Sequence, residues 1–309
     1  MSATGDAASP VLRPLAAAGW MALACLLFSI MSLCAKVAMA TLPWHEVAAG
    51  RAAFGALTIY VWARGRSIPL KVHDRRTQWL RTSAGVVSMS CGFYALSRLA
   101  MGDAVTLANL TPLMIAIASK RALDERAGAG LAIAVILGFF GVALLAGARL
   151  HEGPGAIVAI AAAISGALFS CIAMLFLRRL GGRESAEGVS LHFLAWSAGA
   201  MLAMGVGRHV LPTPAAAASL LLAGVSGGLA QIFMTRAYGL DKAARVGAIS
   251  YLGVVLSQLF GVLALHEFPG VRQLGGAALV VLSGAFLVFG AVREHVRSSR
   301  AAAIARPEP

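Results

Sequence analysis

Long runs of apolar residues, separated by short polar clusters, extend along almost the whole chain. Each run approaches the roughly 20 apolar residues that an α-helix needs to cross a bilayer. Only helices and closed barrels satisfy their backbone hydrogen bonds in lipid, and these runs are too long for barrel strands. The pattern therefore predicts an all-α integral membrane protein with ten transmembrane helices, at residues 15–39, 47–63, 80–99, 104–119, 130–148, 156–177, 189–206, 215–238, 246–265 and 274–292.

A weak repeat relates the two halves of the sequence. Leu27-Phe28-Ser29 returns as Leu168-Phe169-Ser170, 141 positions later, and the Ala-Leu-Asp-Glu of 122–125 returns as Ala-Leu-His-Glu at 264–267. Five spans per copy is an odd number, so the second copy enters the membrane upside down. We therefore expect two inverted-topology five-helix repeats, the arrangement common in secondary transporters. The predicted parts are a disordered N-terminal tail (1–13), the repeats (14–149 and 150–292) and a cytoplasmic C-terminal tail (293–309).

Composition supports a membrane protein, and charge predicts its orientation. Of the 309 residues, 59% are hydrophobic and only 13% are charged, far from the usual composition of soluble domains. The net charge of +13 comes from Lys and Arg between the spans, so it indicates orientation in a membrane rather than nucleic-acid binding. With both termini cytoplasmic, most basic residues, Arg81 among them, lie in inner segments. Outer segments hold only Arg98, Arg149, Arg208 and Arg272. We expect a multi-pass protein of the bacterial inner (plasma) membrane.

Cationic side chains within the spans are candidates for substrate contacts, because placing them in lipid is costly. Arg51 lies about a turn into span two. It either binds an anionic group in a central cavity or pairs with Glu46 or a helix C-terminal carbonyl, and both readings stay open. Lys36 lies one turn from the outer end of span one. It either contacts substrate or extends its long side chain to the interface.

Span four contains a cluster formed by Asn109, Thr111 and Pro112. Proline removes a backbone hydrogen bond and frees a carbonyl, so a kink here either lines a cavity or simply bends the helix. Tyr251 lies in the corresponding part of span nine, where its ring can stack on a substrate. Elsewhere, Gly224-x-x-x-Gly228 is a GxxxG pattern, which is typical of close helix packing.

Four further side chains complete the candidate substrate site. His192 in span seven is a candidate proton relay, although a lone helical histidine is more often a packing residue. Gln231 either contacts substrate or forms an interhelical hydrogen bond, and Tyr94 and Trp196 are expected to shape the pocket. The sequence has no mid-span carboxylate. Transport is therefore either uncoupled or coupled through Glu46 or His192 alone.

Several motifs resemble the drug/metabolite transporter superfamily, in its EamA-type branch, as two tandem units over about residues 15–292. The resemblance implies a secondary, non-ATP-driven transporter of small metabolites or drug-like compounds, amino-acid-like or anionic ones among them, working by alternating access. The matching features are Arg51, Phe-Tyr-Ala-Leu-Ser-Arg-Leu at 93–99, Leu-Thr-Pro-Leu at 110–113, Leu-Asp-Glu-Arg at 123–126, Thr-Arg-Ala-Tyr at 235–238 and Leu-His-Glu at 265–267.

The second copy departs from the first at two positions. Gly253 stands in the region that matches Pro112, and His192 stands where Arg51 would be. The contacts made by the second half therefore stay open.

Motifs for other classes of activity are missing from the sequence. It has no P-loop, no nucleophile elbow and no metal-spaced Cys/His set. We therefore expect no cofactor, no metal and no catalytic residue, and a protein that is not an enzyme. The alternative class is an integral-membrane enzyme acting on a lipid-linked substrate, which would need clustered acids or histidines at one membrane face. Expected partners are a small-molecule substrate and the lipid bilayer but no nucleic acid, and a homodimer is left open.

Overall fold

The computed structural model describes residues 12–122, 131–149, 153–205 and 209–286, and throughout these ranges the regular structure is helical. The predicted C-terminal tail and most of the N-terminal tail lie outside the described residues. The helices are α1 Leu12–Ala38, α2 Trp44–Gly65, α3 Arg75–Arg98, α4 Met101–Ala108, α5 Thr111–Ala122, α6 Leu131–Arg149, α7 Pro154–Leu180, α8 Ala186–Met204, α9 Pro214–Leu240, α10 Ala243–Ile249, α11 Tyr251–Leu265 and α12 Val271–Phe286.

Spans four and nine are each broken into two helices, α4/α5 and α10/α11, so these twelve helices form the ten spans predicted from the sequence. Pro112 has no N–H to donate to the carbonyl of Ala108. That carbonyl instead accepts the hydroxyl of Thr111 at 2.8 Å. At the second break, Ser250 Oγ lies 2.6 Å from the carbonyl oxygen of Gly247. The Thr111 hydroxyl thus satisfies a backbone acceptor that the first break leaves free, whereas the Gly247 carbonyl at the second break also accepts the N–H of Ser250 at 3.0 Å.

Five stretches of helix are long and apolar enough to cross a membrane on length and composition alone: Pro14–Ala38, Met101–Ala118, Pro154–Leu180, Pro214–Leu240 and Arg245–Leu265. The remaining spans are shorter apolar helices or contain more polar residues. Large apolar side chains cover the outside of the bundle, and Phe140 is 68% and Leu263 65% exposed. Such a surface is stable in lipid rather than in water.

The two halves of the chain interleave instead of forming separate bundles. Helix α1 packs along α9, α3 along α7, and α2 along both α8 and α9. We call the side where α1 begins, with the ends of α2, α7 and α9, the proximal face. The distal face is where α1 ends and α4 begins. Because most large contacts join one half to the other, the centre of the bundle is built jointly by both.

The crossing of α2 and α9 depends on the GxxxG pattern. A methyl group added to Gly224 would lie 2.2 Å from Cβ of Phe54, and one added to Gly228 would lie 2.8 Å from the carbonyl oxygen of Gly55. Small residues therefore let the two backbones touch, as the sequence pattern predicts.

A polar clamp at the proximal face joins the α2–α3 loop to the α7–α8 loop. The Glu184 carboxylate accepts the backbone N–H groups of His73 at 3.0 Å and Asp74 at 2.9 Å, and its other oxygen lies 3.3 Å from His73 Nδ1. Desolvation raises the pKa of Glu184, but the hydrogen bonds from Asp74 and His73 outweigh it, so the pKa lies below its ordinary value. The ionised carboxylate therefore stabilises this contact between the two halves.

Substitution of Gly224 should destabilise the α2–α9 crossing. Gly224→Leu would force a side chain into Phe54, and overpacking of this kind costs about 1–3 kcal/mol. Gly199→Leu is the matched control, because a methyl group on Gly199 meets no atom within 4 Å. Thermal unfolding of the purified proteins should show a lower Tm for Gly224→Leu alone, and equal Tm values for the two variants would contradict this account of the crossing.

Acid should weaken the Glu184 clamp. A folded-state pKa below the unfolded value means that the stabilisation is present above the ordinary glutamate pKa of about 4.3 and is lost as pH falls through the folded pKa. The Tm difference between wild type and Glu184→Gln should therefore be largest near neutral pH and shrink below about pH 4. A difference that grows on acidification would show that the clamp depends on the neutral carboxyl.

Candidate functional site

A cavity of about 230 Å³ lies at mid-depth, between the breaks of spans four and nine. It is bounded by α1, α4, α5, α7 and α9 and by the α10–α11 junction. Its polar lining consists of hydroxyls and one amide, and four methionines contribute flexible walls. The polar residues are Ser29, Ser32, Asn109, Thr111, Ser170, Tyr238 and Ser250, and the methionines are Met21, Met31, Met174 and Met234.

Residues related by the sequence repeat line this cavity together. Ser29 and Ser170, the last residues of the two Leu-Phe-Ser motifs, both line it. Asn109 and Ser250 also differ by the repeat offset of 141 positions, and Ser250 Oγ donates to Asn109 Oδ1 at 2.8 Å. The pseudo-symmetry axis of the inverted repeat therefore passes through or close to the cavity.

Hydrogen bonds to the backbone fix the orientation of two polar side chains that line the cavity. Asn109 also donates to the carbonyl of Val105 at 2.9 Å, and Thr111 Oγ1 lies 3.1 Å from the carbonyl of Ala167 on α7. These bonds hold the predicted Asn109–Thr111–Pro112 cluster at the cavity wall. The surface offers hydrogen-bonding groups but no formal charge among its described lining residues, which suits a polar or amphipathic ligand.

A second polar cluster lies beside the cavity, where α1, α2, α3, α8 and α9 meet. Arg51 is 3% exposed, and its Nε and Nη1 lie 3.0 and 3.4 Å from the sulfurs of Met31 and Met89. Arg81 is 1% exposed and donates from Nη2 to Gln231 Oε1 at 3.3 Å. The cluster therefore brings two of the predicted residues, Arg51 and Gln231, close to an arginine that the sequence analysis counted with the inner segments.

Arg81 is a correction to the sequence analysis, which placed it with the cytoplasmic basic residues. Helix α3 begins at Arg75, so Arg81 is nearly two turns inside the helix. The missed signal is the spacing of Gln78, Arg81 and Thr82, all buried. Polar residues at i, i+3 and i+4 share one helix face. Such a face opposite apolar residues marks the interior side of a membrane helix.

Lys36 lies at the distal face rather than in the cavity. Its ammonium donates to the carbonyls of Leu96 and Leu99 at the end of α3 and lies 3.7 Å from Glu267. The second oxygen of Glu267 accepts the first N–H of α4, that of Met101, at 2.7 Å. Four helices therefore meet at one ion pair, which borders a distal pocket of about 310 Å³.

The proximal face repeats part of this arrangement. Arg178, 142 positions after Lys36, donates to the carbonyl of Tyr238 at 3.2 Å, and Tyr238 is 142 positions after Leu96. A further bond reaches Gly239 at 3.3 Å. A basic side chain at the equivalent position of each copy, Lys36 on α1 and Arg178 on α7, thus binds the equivalent carbonyl, at opposite faces.

The remaining predicted residues do not line the cavity. Trp196 is 51% exposed, and its ring centroid lies 4.6 Å from that of Trp79, while His192 Nδ1 lies 3.0 Å from Thr82 Oγ1 between α3 and α8. These three rings form an aromatic group on the outer side of the α3–α8 contact.

Two more of the predicted rings lie elsewhere in the bundle. Tyr94 is near the distal face, with its ring 5.9 Å from that of Trp44. Tyr251 is buried, and its ring packs so closely on Gly284 of α12 that a methyl group there would lie 2.0 Å from it. Neither ring belongs to the described cavity lining, so their predicted contact with substrate stays a prediction.

Comparison with known proteins identifies the class. The model of the EamA-like transporter family matches the chain twice, at residues 15–147 and 154–290. The chain belongs to this family. It is a multi-pass membrane protein and a small-molecule transporter of the drug/metabolite transporter type, with the two repeats that the resemblance implied.

Individual relatives extend across most of the chain. It is 30% identical to the pseudopaline exporter CntI of Pseudomonas aeruginosa, over 84% of this chain and 92% of that protein. It is 26% identical to a riboflavin transporter of Vibrio cholerae (89% and 93%) and 24% identical to an S-adenosylmethionine uptake transporter of Rickettsia felis (88% and 92%). A solved crystal structure superposes with a TM-score of 0.69 over 91% of this chain, at 23% identity, and shares the fold.

The hydrogen bond between Asn109 and Ser250 should be measurable as a coupling between the repeats. In a double-mutant cycle on thermal stability, Asn109→Ala and Ser250→Ala should show a coupling of about 0.5–1.5 kcal/mol, the net value of one such bond. Ser90→Ala, which removes a hydroxyl bonded only to Val86 and Met201, should combine additively with Ser250→Ala. An additive Asn109/Ser250 pair would contradict the contact.

Proposed function

We propose that this protein is a secondary transporter that binds small polar or amphipathic metabolites in the cavity between its repeats and carries them by alternating access. The single observation that supports this most is the cavity lining. It is formed at mid-depth by repeat-related pairs, Ser29 with Ser170 and Asn109 with Ser250. Discontinuous helices at the interface of inverted repeats are the usual binding sites of such carriers.

The proposal also specifies the membrane in which the protein acts and the orientation of the protein in that membrane. The protein acts in the bacterial inner membrane, with both termini and the proximal face in the cytoplasm and the repeats at 14–149 and 150–292. The basic residues favour this even without Arg81, since the proximal loops and helix ends carry Arg64, Arg66, Arg75, Arg76 and Arg183, whereas Arg98 and Arg272 are at the distal side.

The two faces carry equivalent contacts that can open in turn. At the distal face, the Lys36–Glu267 pair ties α1 and α11 to the junction of α3 and α4. At the proximal face, Arg178 ties α7 to the end of α9, and Glu187 pairs with Arg236 at 2.6 Å to tie α8 to α9. In an inverted repeat, exchanging the conformations of the two copies exchanges the open face. Closing one set while the other opens gives alternating access.

The substrate has to be determined on this chain itself. Relatives of similar distance are named for pseudopaline, riboflavin and S-adenosylmethionine, which differ widely in size and charge. The cavity described here combines hydroxyls, one amide and methionine thioethers. Methionine walls adapt their shape to the ligand, so the proposed substrate class is a polar metabolite with some apolar surface.

The proposal also sets aside enzymatic activity. Residues that line the cavity include no carboxylate and no histidine among those described, so acid–base chemistry on a bound compound has no side chain to perform it. An enzyme acting on a lipid-linked substrate, the alternative class, is not favoured because the named relatives are transporters.

Blocking the cavity tests the proposal directly. Ser170→Trp would fill the cavity wall, whereas Leu168→Trp adds the same ring on the same helix at a side chain that is 50% exposed. Cells expressing wild type should differ from empty-vector cells in growth on at least one compound of a toxic metabolite-analogue panel. Resistance indicates export and sensitivity indicates import. At matched membrane abundance, Leu168→Trp should retain that phenotype and Ser170→Trp should lose it.

A Ser170→Trp strain that behaves as wild type would show that substrate does not pass through this cavity. Loss of the growth phenotype in both tryptophan variants would indicate general damage to α7. The comparison would then not support substrate passage through the cavity.

Loosening the distal contact should favour the conformation open to that face. Glu267→Gln removes the charge that pairs with Lys36, and losing a charged hydrogen-bonded partner costs about 1–3 kcal/mol in the closed state. A Ser32→Cys probe in the cavity, in a background without native cysteines, should react faster with an impermeant maleimide from the distal side in Glu267→Gln. Glu46→Gln, which removes a distal carboxylate paired with His209 instead, should leave the rate unchanged. Slower labelling in Glu267→Gln would contradict the assigned role.

A further inference from the structure

Arg51 and Arg81 are two buried guanidinium groups that lie against successive turns of α9, Arg51 beside Gly227 and Arg81 bonded to Gln231. Arg51 lies at the level of Met31 and Met89, and Arg81 reaches Gln231 and lies over the ring of Phe193, 4.0 Å from its centroid. Both groups are therefore in the middle of the bundle rather than at either face. Two like charges at that depth are costly, and the sequence retains them.

The protein gives these two cations poor partners. Each guanidinium carries five N–H donors. Nε and Nη1 of Arg51 donate to thioether sulfurs, which are weak acceptors, and Nε and Nη1 of Arg81 have no hydrogen-bond partner. Within the described ranges neither arginine forms an ion pair, and Glu46, Glu184, Glu187, Glu267 and Asp241 pair with other groups.

The alternative hypothesis for Arg51, pairing with Glu46, is not what the structure contains. Glu46 lies 3.5 Å from His209 Nδ1 and accepts the backbone N–H of Val210 at 2.9 Å. An uncompensated buried charge destabilises a fold by several kcal/mol in typical cases. The arrangement is therefore a weak structural element, and its donors are available to a ligand.

Met31 lies between Arg51 and the cavity. Met31 lines the cavity and also contacts Arg51 through its sulfur. Gly227 of α9 leaves room for both side chains, since a methyl group there would lie 2.8 Å from Arg51 Nε and 3.1 Å from Met31 Cγ. An unbranched methionine changes rotamer easily. Rotation of Met31 would therefore connect the cavity to the guanidinium of Arg51 without moving the backbone.

We infer that Arg51 and Arg81 together recognise an oxyanion group of the transported compound, a dicarboxylate or a phosphate monoester carrying two negative charges. This rests on the proposed function, because the compound must first enter the cavity. Planar guanidinium groups bind carboxylate and phosphate oxygens through paired N–H donors. A doubly charged oxyanion neutralises both cations, satisfies the unpaired N–H groups of Arg81 and replaces the sulfur contacts of Arg51.

The first test measures binding without transport. Purified protein in nanodiscs would be unfolded thermally in succinate, in inorganic phosphate and in sodium chloride at matched ionic strength. A ligand that binds only the folded state raises Tm with concentration and saturates. Wild type should respond to succinate or to phosphate, and the one that acts distinguishes a carboxylate from a phosphate ligand. Arg64→Gln removes an exposed arginine of α2 and should respond as wild type does.

The variants of the pair should separate recognition from packing. Arg81→Gln should abolish the anion-dependent rise in Tm, and Arg81→Lys, which keeps the charge but loses the paired donors, should weaken the apparent affinity at least about tenfold. Without anion, Arg81→Gln should unfold at the same temperature as wild type or a higher one, because it removes one of two repelling charges. If Arg81 were a packing residue, its loss would lower Tm in every buffer.

The outcomes of this test are distinct from those of the cavity-blocking test. If neither anion stabilises wild type beyond chloride, or if Arg81→Gln keeps the full response, the oxyanion site is wrong, while loss of transport in Ser170→Trp still supports the cavity. If the anion response is present but Ser170→Trp transports normally, the oxyanion site stands and the proposed transport route is wrong.

Discussion

The structure depends on satisfying the backbone hydrogen-bonding groups where two membrane spans are interrupted at their midpoints. In lipid an unpaired carbonyl or N–H costs several kcal/mol, so a helix can be interrupted only where other groups satisfy its backbone. Here the Thr111 hydroxyl bonds the Ala108 carbonyl that Pro112 leaves free, and the Ser250 hydroxyl bonds Asn109 of the other repeat. Because of these bonds, irregular backbone lies at mid-depth and faces a cavity rather than lipid.

The inverted repeat explains why contacts at opposite faces resemble each other. Lys36 and Arg178 occupy equivalent positions on α1 and α7 and bind equivalent carbonyls, yet the first lies at the distal face and the second at the proximal face. The same type of contact, a basic side chain bonded to a carbonyl at a helix end, therefore occurs once at each face, in opposite orientation.

Sequence patterns predicted the fold well because membrane constraints act over whole segments. Run length predicted ten spans, and the Leu-Phe-Ser repeat predicted two copies. Pro112 marked the break in span four. Span nine has no proline at the corresponding region, which holds Ser250 and Gly253, so its break was harder to predict.

The positions of the individual site residues were also harder to predict than the fold. Arg81 was counted with the cytoplasmic basic residues because it lies at the start of the predicted span three, but α3 begins at Arg75 and Arg81 is buried within it. Tyr251 and Trp196 were proposed from residue type, which carries no information on the direction of a side chain.

The most direct measurement of the central account is the accessibility of the cavity from each side of the membrane. A single cysteine at position 170, with Cys25 and the other native cysteines replaced, would be exposed to an impermeant maleimide in right-side-out and in inside-out vesicles. A cavity that opens in turn to both faces predicts labelling from each side, with rates that shift in opposite directions when a transported compound is added. Labelling from one side only, unchanged by any such compound, would contradict alternating access through this cavity.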